Sequence, residues 1–298
     1  MSEFLPKDRN FLGLDPTDAH PGTAGVVVLP VPFEETSSYG QGSSEGPDAI
    51  LEASQEVELF DSVVGFEPYQ AAGGVATRMP LEVTGLDGAA VAERLYGETK
   101  HWLAQNKMIV TLGGEHTSVV GAIRAHCEKF DDLTVLQLDA HSDLRPAYLG
   151  SPWNHACAMA RVLDFHGHIV QVGIRSQAKE EREIAGEKGL PVFYAHDIQQ
   201  SRGNRPPWIQ QVIDATRPNV YITLDCDAFD PSIIPATGTP EPGGLDWRQV
   251  DGLLARLCVE RNVVGIDISE LAPIPGIQHP QFTMAKLVYR LIGYRFLG

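Results

Sequence analysis

Six side chains able to bind divalent metals fall in three short clusters, and each cluster directly follows an apolar, strand-like run. They are His116 in TLGGEHTS, Asp139, His141 and Asp143 in LQLDAHSD, and Asp225 and Asp227 in ITLDCDAFD. Four carboxylates and two imidazoles are more than one ion takes. They suit a pair of cations with two of the carboxylates bridging. A two-metal site can hold a water between its ions and lower that water's pKa toward neutrality, which creates a hydroxide nucleophile. The chemistry expected is therefore metal-dependent hydrolysis. The donors are hard, oxygen-rich and without thiolate, a set that favours Mn²⁺ over a structural zinc. Charge points the same way, because buried carboxylates with no cation nearby would protonate rather than stay ionised.

Asp139-Ala-His141-Ser-Asp143 is the strongest local signal. In an extended segment residues two apart share a face, so these three side chains can converge on one spot. By the same alternation the thiol of Cys226, inside the DCD sequence, points away from the metals and packs. Gly113-Gly114 has no GK[ST] after it, so a phosphate loop is not indicated. These glycines are expected to let the backbone turn sharply, so that His116 reaches the metals. His101, His126, His166, His168 and His196 belong to no motif and read as structural or solvated.

The elements that must position these residues alternate along the chain. Runs at 25–31, 108–112, 133–138, 168–174, 191–195, 219–224 and 262–268 are nearly all apolar, as strands covered on both faces are. Helical spacing of apolar residues marks 85–106, 117–130, 246–262 and 282–294, with Asp246 as an N-cap. Such alternation implies a parallel sheet with helices on both sides, whose ligands bind beyond the carboxyl ends of the strands. All three metal clusters, and SELAP after the run at 262–268, sit at such ends. The chain reads as a single domain over 1–298, with the Gly/Ser-rich stretch 32–47 as a long loop near the site or at a subunit contact.

Bulk properties narrow the partners. A formal charge of −16 argues against nucleic acid and against an anionic membrane surface, and would draw a small cationic substrate. The N-terminus lacks the pattern of a secretory signal, and no apolar run approaches a membrane span. The four cysteines are scattered with no CxxC pair, consistent with a reduced, cytoplasmic protein.

GGEHT at 113–117, DAHSD at 139–143, LDCDAFDPS at 224–232, PATGTPEPGG at 235–244 and SELAP at 269–273 together resemble the ureohydrolase family, which includes arginase and agmatinase. The resemblance implies an α/β fold, a three-layer α/β/α arrangement with a mainly parallel eight-stranded sheet, assembled as homo-trimers or homo-hexamers. It implies two Mn²⁺ per chain and hydrolysis of a guanidino group to urea and an amine. One ion would be held by His116, Asp139, Asp143 and Asp225, the other by Asp139, His141, Asp225 and Asp227. Their bridging hydroxide would attack the guanidinium carbon. Asp227 would orient that nucleophile and take its proton. Glu270 would pair with the guanidinium in a fork-like hydrogen bond. His155, in SPWNHACA, would pass protons to the leaving amine. Thr237, in PATGTPEPGG, joins Glu270 and His155 in substrate binding.

Within that family, arginases carry an asparagine two residues after the last aspartate of DAHxD, where this chain has Arg145. That segment, EPGG after TGTP, and PFEETSSYGQGSSEGPDAI instead resemble agmatinases, so agmatine, yielding putrescine and urea, is the expected substrate. Guanidinobutyrate or arginine is the alternative, and an amide deacetylase of related fold a more distant one. Arg145 could welcome a carboxylate or be held by a neighbouring acid or subunit. Glu115 and Ala156 depart from the usual agmatinase pattern, which has Asp and Gly at these positions, without removing a metal ligand.

Overall fold

Short runs of valine, isoleucine and leucine build one eight-stranded sheet: β1 Val26–Val31, β2 Val75–Thr77, β3 Met108–Gly113, β4 Leu133–Leu138, β5 Ile169–Ile174, β6 Val192–Tyr194, β7 Asn219–Asp225 and β8 Asn262–Ser269. The structure, a computed structural model, describes residues 3–200 and 207–297. The strand order is β2-β1-β3-β8-β7-β4-β5-β6, and every pairing between these strands is parallel. The sheet is thus parallel throughout, where the sequence pointed to a mainly parallel one.

The strands do not alternate in polarity because both faces are covered. Val26 and Val28 enter one core while Val27, Leu29 and Val31 enter the other. The first core is closed by helices Trp247–Glu260 and His279–Arg295, through Val250, Leu253, Leu257, Met284 and Leu291. The second is closed by helices Gly88–Leu103 and Val120–Lys129, through Val91, Leu95, Trp102 and Ile123. Asp246 caps its helix as expected, accepting from Gln249 N–H at 2.8 Å while Gln249 returns the bond; losing such a cap costs about 1 kcal/mol.

Some elements escaped the sequence pattern. β2 has three residues, too few to show a period. Helix Lys179–Lys188 reads KEEREIAGEK and lacks a broad apolar stripe. Helices Gly46–Ser54, Pro68–Ala71, Ala158–Leu163, Ala195–Gln200 and Pro207–Ala215 are also short and were not expected. The segment 117–130 enters its helix through a tight 3-10 turn, His116–Val119. Among the described residues no helix is long and apolar enough to cross a membrane.

This topology sets the site. β3, β8, β7 and β4 are consecutive neighbours in mid-sheet. Their carboxyl ends deliver His116, Glu270, Asp225 with Asp227, and Asp139 through Asp143 to one edge. At about 4.8 Å between strands, all of these fall within roughly 15 Å.

Candidate active site

The six expected ligands do converge. Donor atoms of His116, Asp139 and Asp225 form one compact group, and those of Asp139, His141 and Asp227 form a second, with Asp139 common to both. Asp143 joins the first group: its Oδ2 lies 2.9 Å from His116 Nδ1, while Asp139 Oδ2 is at 3.3 Å and Asp225 Oδ2 at 3.8 Å. His141 Nδ1 lies 2.9 Å from Asp227 Oδ2.

The protonation pattern around His116 supports cations here. The Thr223 hydroxyl donates to Asp267 Oδ1 at 2.9 Å. Having one proton, it must accept from His116 Nε2, 2.8 Å away. Burial would lower the His116 imidazole, yet Asp139 and Asp143 carry it well above its usual value, so Nδ1, facing three carboxylates, calls for positive charge there, a proton or a divalent ion. Burial pushes the Asp139 carboxyl up to about 7, with the charges of Asp143 and Asp227 adding to it. Burial, then Asp227 and Asp139, drives Asp225 well above the carboxylate range. Burial would lower His141, yet Asp227 carries it up to about 10. This edge of the sheet calls for positive charge, and its hard oxygen and imidazole donors fit divalent metal ions.

How the backbone brings the ligands together differs from simple strand alternation. Neither cluster stays extended. Asp225 ends β7 and the chain enters a 3-10 turn, Cys226–Ala228, which the Asp225 carboxylate caps by accepting from Asp227 N–H at 2.8 Å. In the other cluster Asp139 accepts from His141 N–H, and Ala140 N–H donates to Asp227, joining the clusters. Asp143 adopts a left-handed φ of 53°, and Glu270 one of 63°; side chains hold that conformation only where the surroundings enforce it, as functional sites do. Cys226 is buried in the apolar core as expected.

Gly113 and Gly114 are needed for space rather than for a turn, since neither has a left-handed φ. A Cβ on Gly114 would sit 2.1 Å from the Phe33 carbonyl oxygen, and one on Gly113 would sit 2.7 Å from Val119 Cγ1.

A pocket of about 270 Å³ opens above the ligands. His141, Asp143, Asp225, Asp227 and Glu270 form its floor, with His155 on the wall. Glu270 accepts from His116 N–H at 2.7 Å, and burial, then the charge of Glu115, raises its carboxyl well above the usual range. The 32–47 stretch lies over the site, contributing Ser37 through Gly40 to the wall. Thr237 is one residue away from the wall formed by Gly238 and Thr239, and its buried hydroxyl has no partner among the described residues. Arg145 is held by an acid: Nε lies 3.7 Å from Glu181 Oε2, with the guanidinium 4.6 Å from the Tyr148 ring centroid.

Sequence reasoning missed the residues that support the ligands. Gln137 reaches Asp139 Oδ2 at 2.7 Å, and Gln171 reaches Gln137 Oε1 at 2.6 Å. Thr223 and Asp267 brace His116. The one available signal was a polar residue inside an otherwise apolar strand, as in LTVLQL, HIVQVGI, NVYITL and NVVGIDI.

Residues 24–293 match the Arginase family. The chain belongs to the arginase family. It is 38% identical to an N(1)-aminopropylagmatine ureohydrolase of Synechocystis sp., over 98% of this chain and 96% of the relative. It is 41% identical to an enzyme of that name from Thermus thermophilus, over 92% and 91%. Among solved structures, the agmatine ureohydrolase of Thermoplasma volcanium superposes with a TM-score of 0.81 at 31% identity, covering 99% of this arginase-family chain and 94% of the other. The resemblance drawn from the motifs and the α/β/α fold it implied are thereby both borne out.

Proposed function

We propose that the chain hydrolyses the guanidinium of N(1)-aminopropylagmatine, releasing urea, and that agmatine is a shorter substrate of the same chemistry. The observation that carries this reading is the charge of the pocket. Glu270 is buried at the floor, and the one arginine or lysine on the wall among the described residues, Arg145, is engaged by Glu181 and Tyr148. A guanidinium meets a carboxylate counter-ion, whereas the α-carboxylate of arginine finds no uncommitted arginine or lysine. The two relatives named for N(1)-aminopropylagmatine support a longer tail than the agmatine first expected.

In this reading two divalent ions, Mn²⁺ by the hardness of the donors, supply an activated water when bound. Glu270 grips the guanidinium and fixes the plane of its carbon. Asp227, held by Ala140 N–H at 3.0 Å, takes the proton of the attacking water. His155 delivers a proton to the departing nitrogen. Atoms balance: R–NH–C(NH₂)₂⁺ plus water gives R–NH₃⁺ plus urea. The cationic tail runs toward the rim, where Glu241, bonded to Ser176 Oγ at 3.0 Å, presents a carboxylate.

The test is urea release from N(1)-aminopropylagmatine, agmatine, arginine and 4-guanidinobutyrate in parallel. A kcat/KM about tenfold higher for the first than for agmatine is expected, one rim ion pair being worth up to about 1 kcal/mol and the added methylenes contributing the rest. Preference for arginine or guanidinobutyrate would overturn the assignment of the tail.

A further inference from the structure

Glu115 is fully buried, adjacent to a metal ligand, and takes no part in the cage. Its carboxylate is used elsewhere. Oε2 accepts from Glu35 N–H at 2.8 Å and Thr36 N–H at 2.7 Å, and Oε1 from the Thr117 hydroxyl at 2.6 Å. The Thr36 hydroxyl lies between its two oxygens, at 3.1 and 3.2 Å. The same hydroxyl oxygen accepts from His155 N–H at 2.9 Å and stands 3.2 Å from His155 Nδ1, although Thr36 and His155 are 119 residues apart in sequence.

Proton counting gives this chain a direction. An ionised carboxylate only accepts, and a threonine hydroxyl has one proton to give. Thr36 therefore gives its proton to Glu115 and can only accept from His155, so the nitrogen facing it, Nδ1, must carry hydrogen. The other nitrogen, Nε2, is then the unprotonated one. It stands 3.3 Å from the Ser38 hydroxyl, which also lines the pocket.

We propose that Glu115 is a positioning residue: through Thr36 it fixes both the place of His155 and its Nδ1–H tautomer, so that Nε2 is the nitrogen that collects and releases protons at the pocket wall. This deepens the reading of His155 as the proton carrier to the leaving amine and rests on it. It also gives the glutamate of GGEHT a task distinct from metal binding. The carboxylate ties the loop over the site to the strand end that carries His116.

Two near-isosteric variants test the chain. Thr36→Val deletes the acceptor for Nδ1–H. Glu115→Gln can place an amide N–H against the Thr36 hydroxyl, freeing that proton to turn toward Nδ1 and reversing the chain. Each variant is made alone and on a His155→Ala background, and Thr36→Ser serves as the rescue. With the protein loaded with Mn²⁺ and the best guanidine of the panel, Thr36→Val should lower kcat about tenfold with KM changed less than about twofold. Thr36→Ser should restore it. On the His155→Ala background, itself slower on the order of 10²-fold, Thr36→Val should cost less than about twofold. An equal loss on both backgrounds would mean that Thr36 merely holds the loop, and the proposal would fail.

A second readout does not depend on turnover. In metal-free protein labelled with ¹⁵N-histidine, the ring signals absent from His155→Ala belong to His155. They should report Nδ1–H in the parent protein and a changed tautomer ratio in Thr36→Val and Glu115→Gln. An Nε2–H tautomer in the parent, or an unaltered ratio in both variants, would overturn the proposal. If the parent releases no urea from any guanidine, the functional reading fails while the tautomer measurement still decides this one.

Discussion

The floor and the rim of the pocket are built in opposite ways. Every ligand on the floor lies at, or within a few residues of, the end of a central strand, and His116, Asp139, Asp225 and Asp227 are almost fully buried. Backbone N–H groups and the buried Gln137 and Thr223 hold the floor's carboxylates and imidazoles. The rim is made of loops, and Tyr39, 83% exposed, stands out from it. A rigid floor fixes the reaction, while a rim of side chains on loops can change the substrate's tail without touching the chemistry. Close resemblance to relatives named for two different tails, on one fold, is what this division would produce.

The largest effect should come from the floor. Asp139 belongs to both donor groups. Asp139→Ala is expected to abolish binding of at least one metal and reduce urea release by on the order of 10³-fold or more, with circular dichroism unchanged. Metal analysis after dialysis checks it, and a variant that keeps its metals and full activity would remove Asp139 from the site.

In the proposed reaction Glu270 binds the guanidinium and not the metals. Glu270→Gln should lower kcat/KM on the order of 10²-fold while both metals remain, because a charge-assisted contact worth about 2–3 kcal/mol is lost. Steady-state kinetics beside metal content would show this; loss of metal instead would make Glu270 part of the cage.

A third region is remote from both. Asp61 is fully buried between Lys286 Nζ at 2.8 Å and Arg290 Nε at 3.1 Å. Burial alone would raise its carboxyl, but bonds from Lys286, Val63 N–H and Arg290 bring it down to about 2. A depressed folded pKa contributes stability that is present above the ordinary value near 4 and lost as pH falls through about 2. Asp61→Asn should therefore cost about 2 kcal/mol at pH 7 and almost nothing near pH 2. Denaturant melts across pH would show the two proteins converging in acid, and parallel curves would rule the linkage out.

The smallest effect belongs to the rim. Glu241→Gln should raise KM for N(1)-aminopropylagmatine about threefold, leaving agmatine kinetics and metal content almost unchanged. An equal effect on both substrates would place Glu241 with the floor, where its Oε1 lies 4.0 Å from His141 Nε2.

The same division explains what the sequence could tell. The floor was legible because its ligands directly follow buried strands, whose all-apolar runs are the plainest pattern in the chain. The turns that aim them were not: the left-handed φ of Asp143 and Glu270 comes from tertiary packing and has no local signature. The rim was scarcely readable. Thr36 meets His155 and Arg145 meets Glu181 only after folding, across 119 and 36 residues of chain. β2 is buried but only three residues long, too short to show a period, and little of the charged helix Lys179–Lys188 faces the core, so neither was visible.

The most direct test of the two-metal floor is a titration of metal-free protein with Mn²⁺, following urea release from N(1)-aminopropylagmatine or agmatine. Activity should rise to a plateau at two equivalents per chain. A plateau at one equivalent, or two ions bound with no urea from either guanidine, would contradict it.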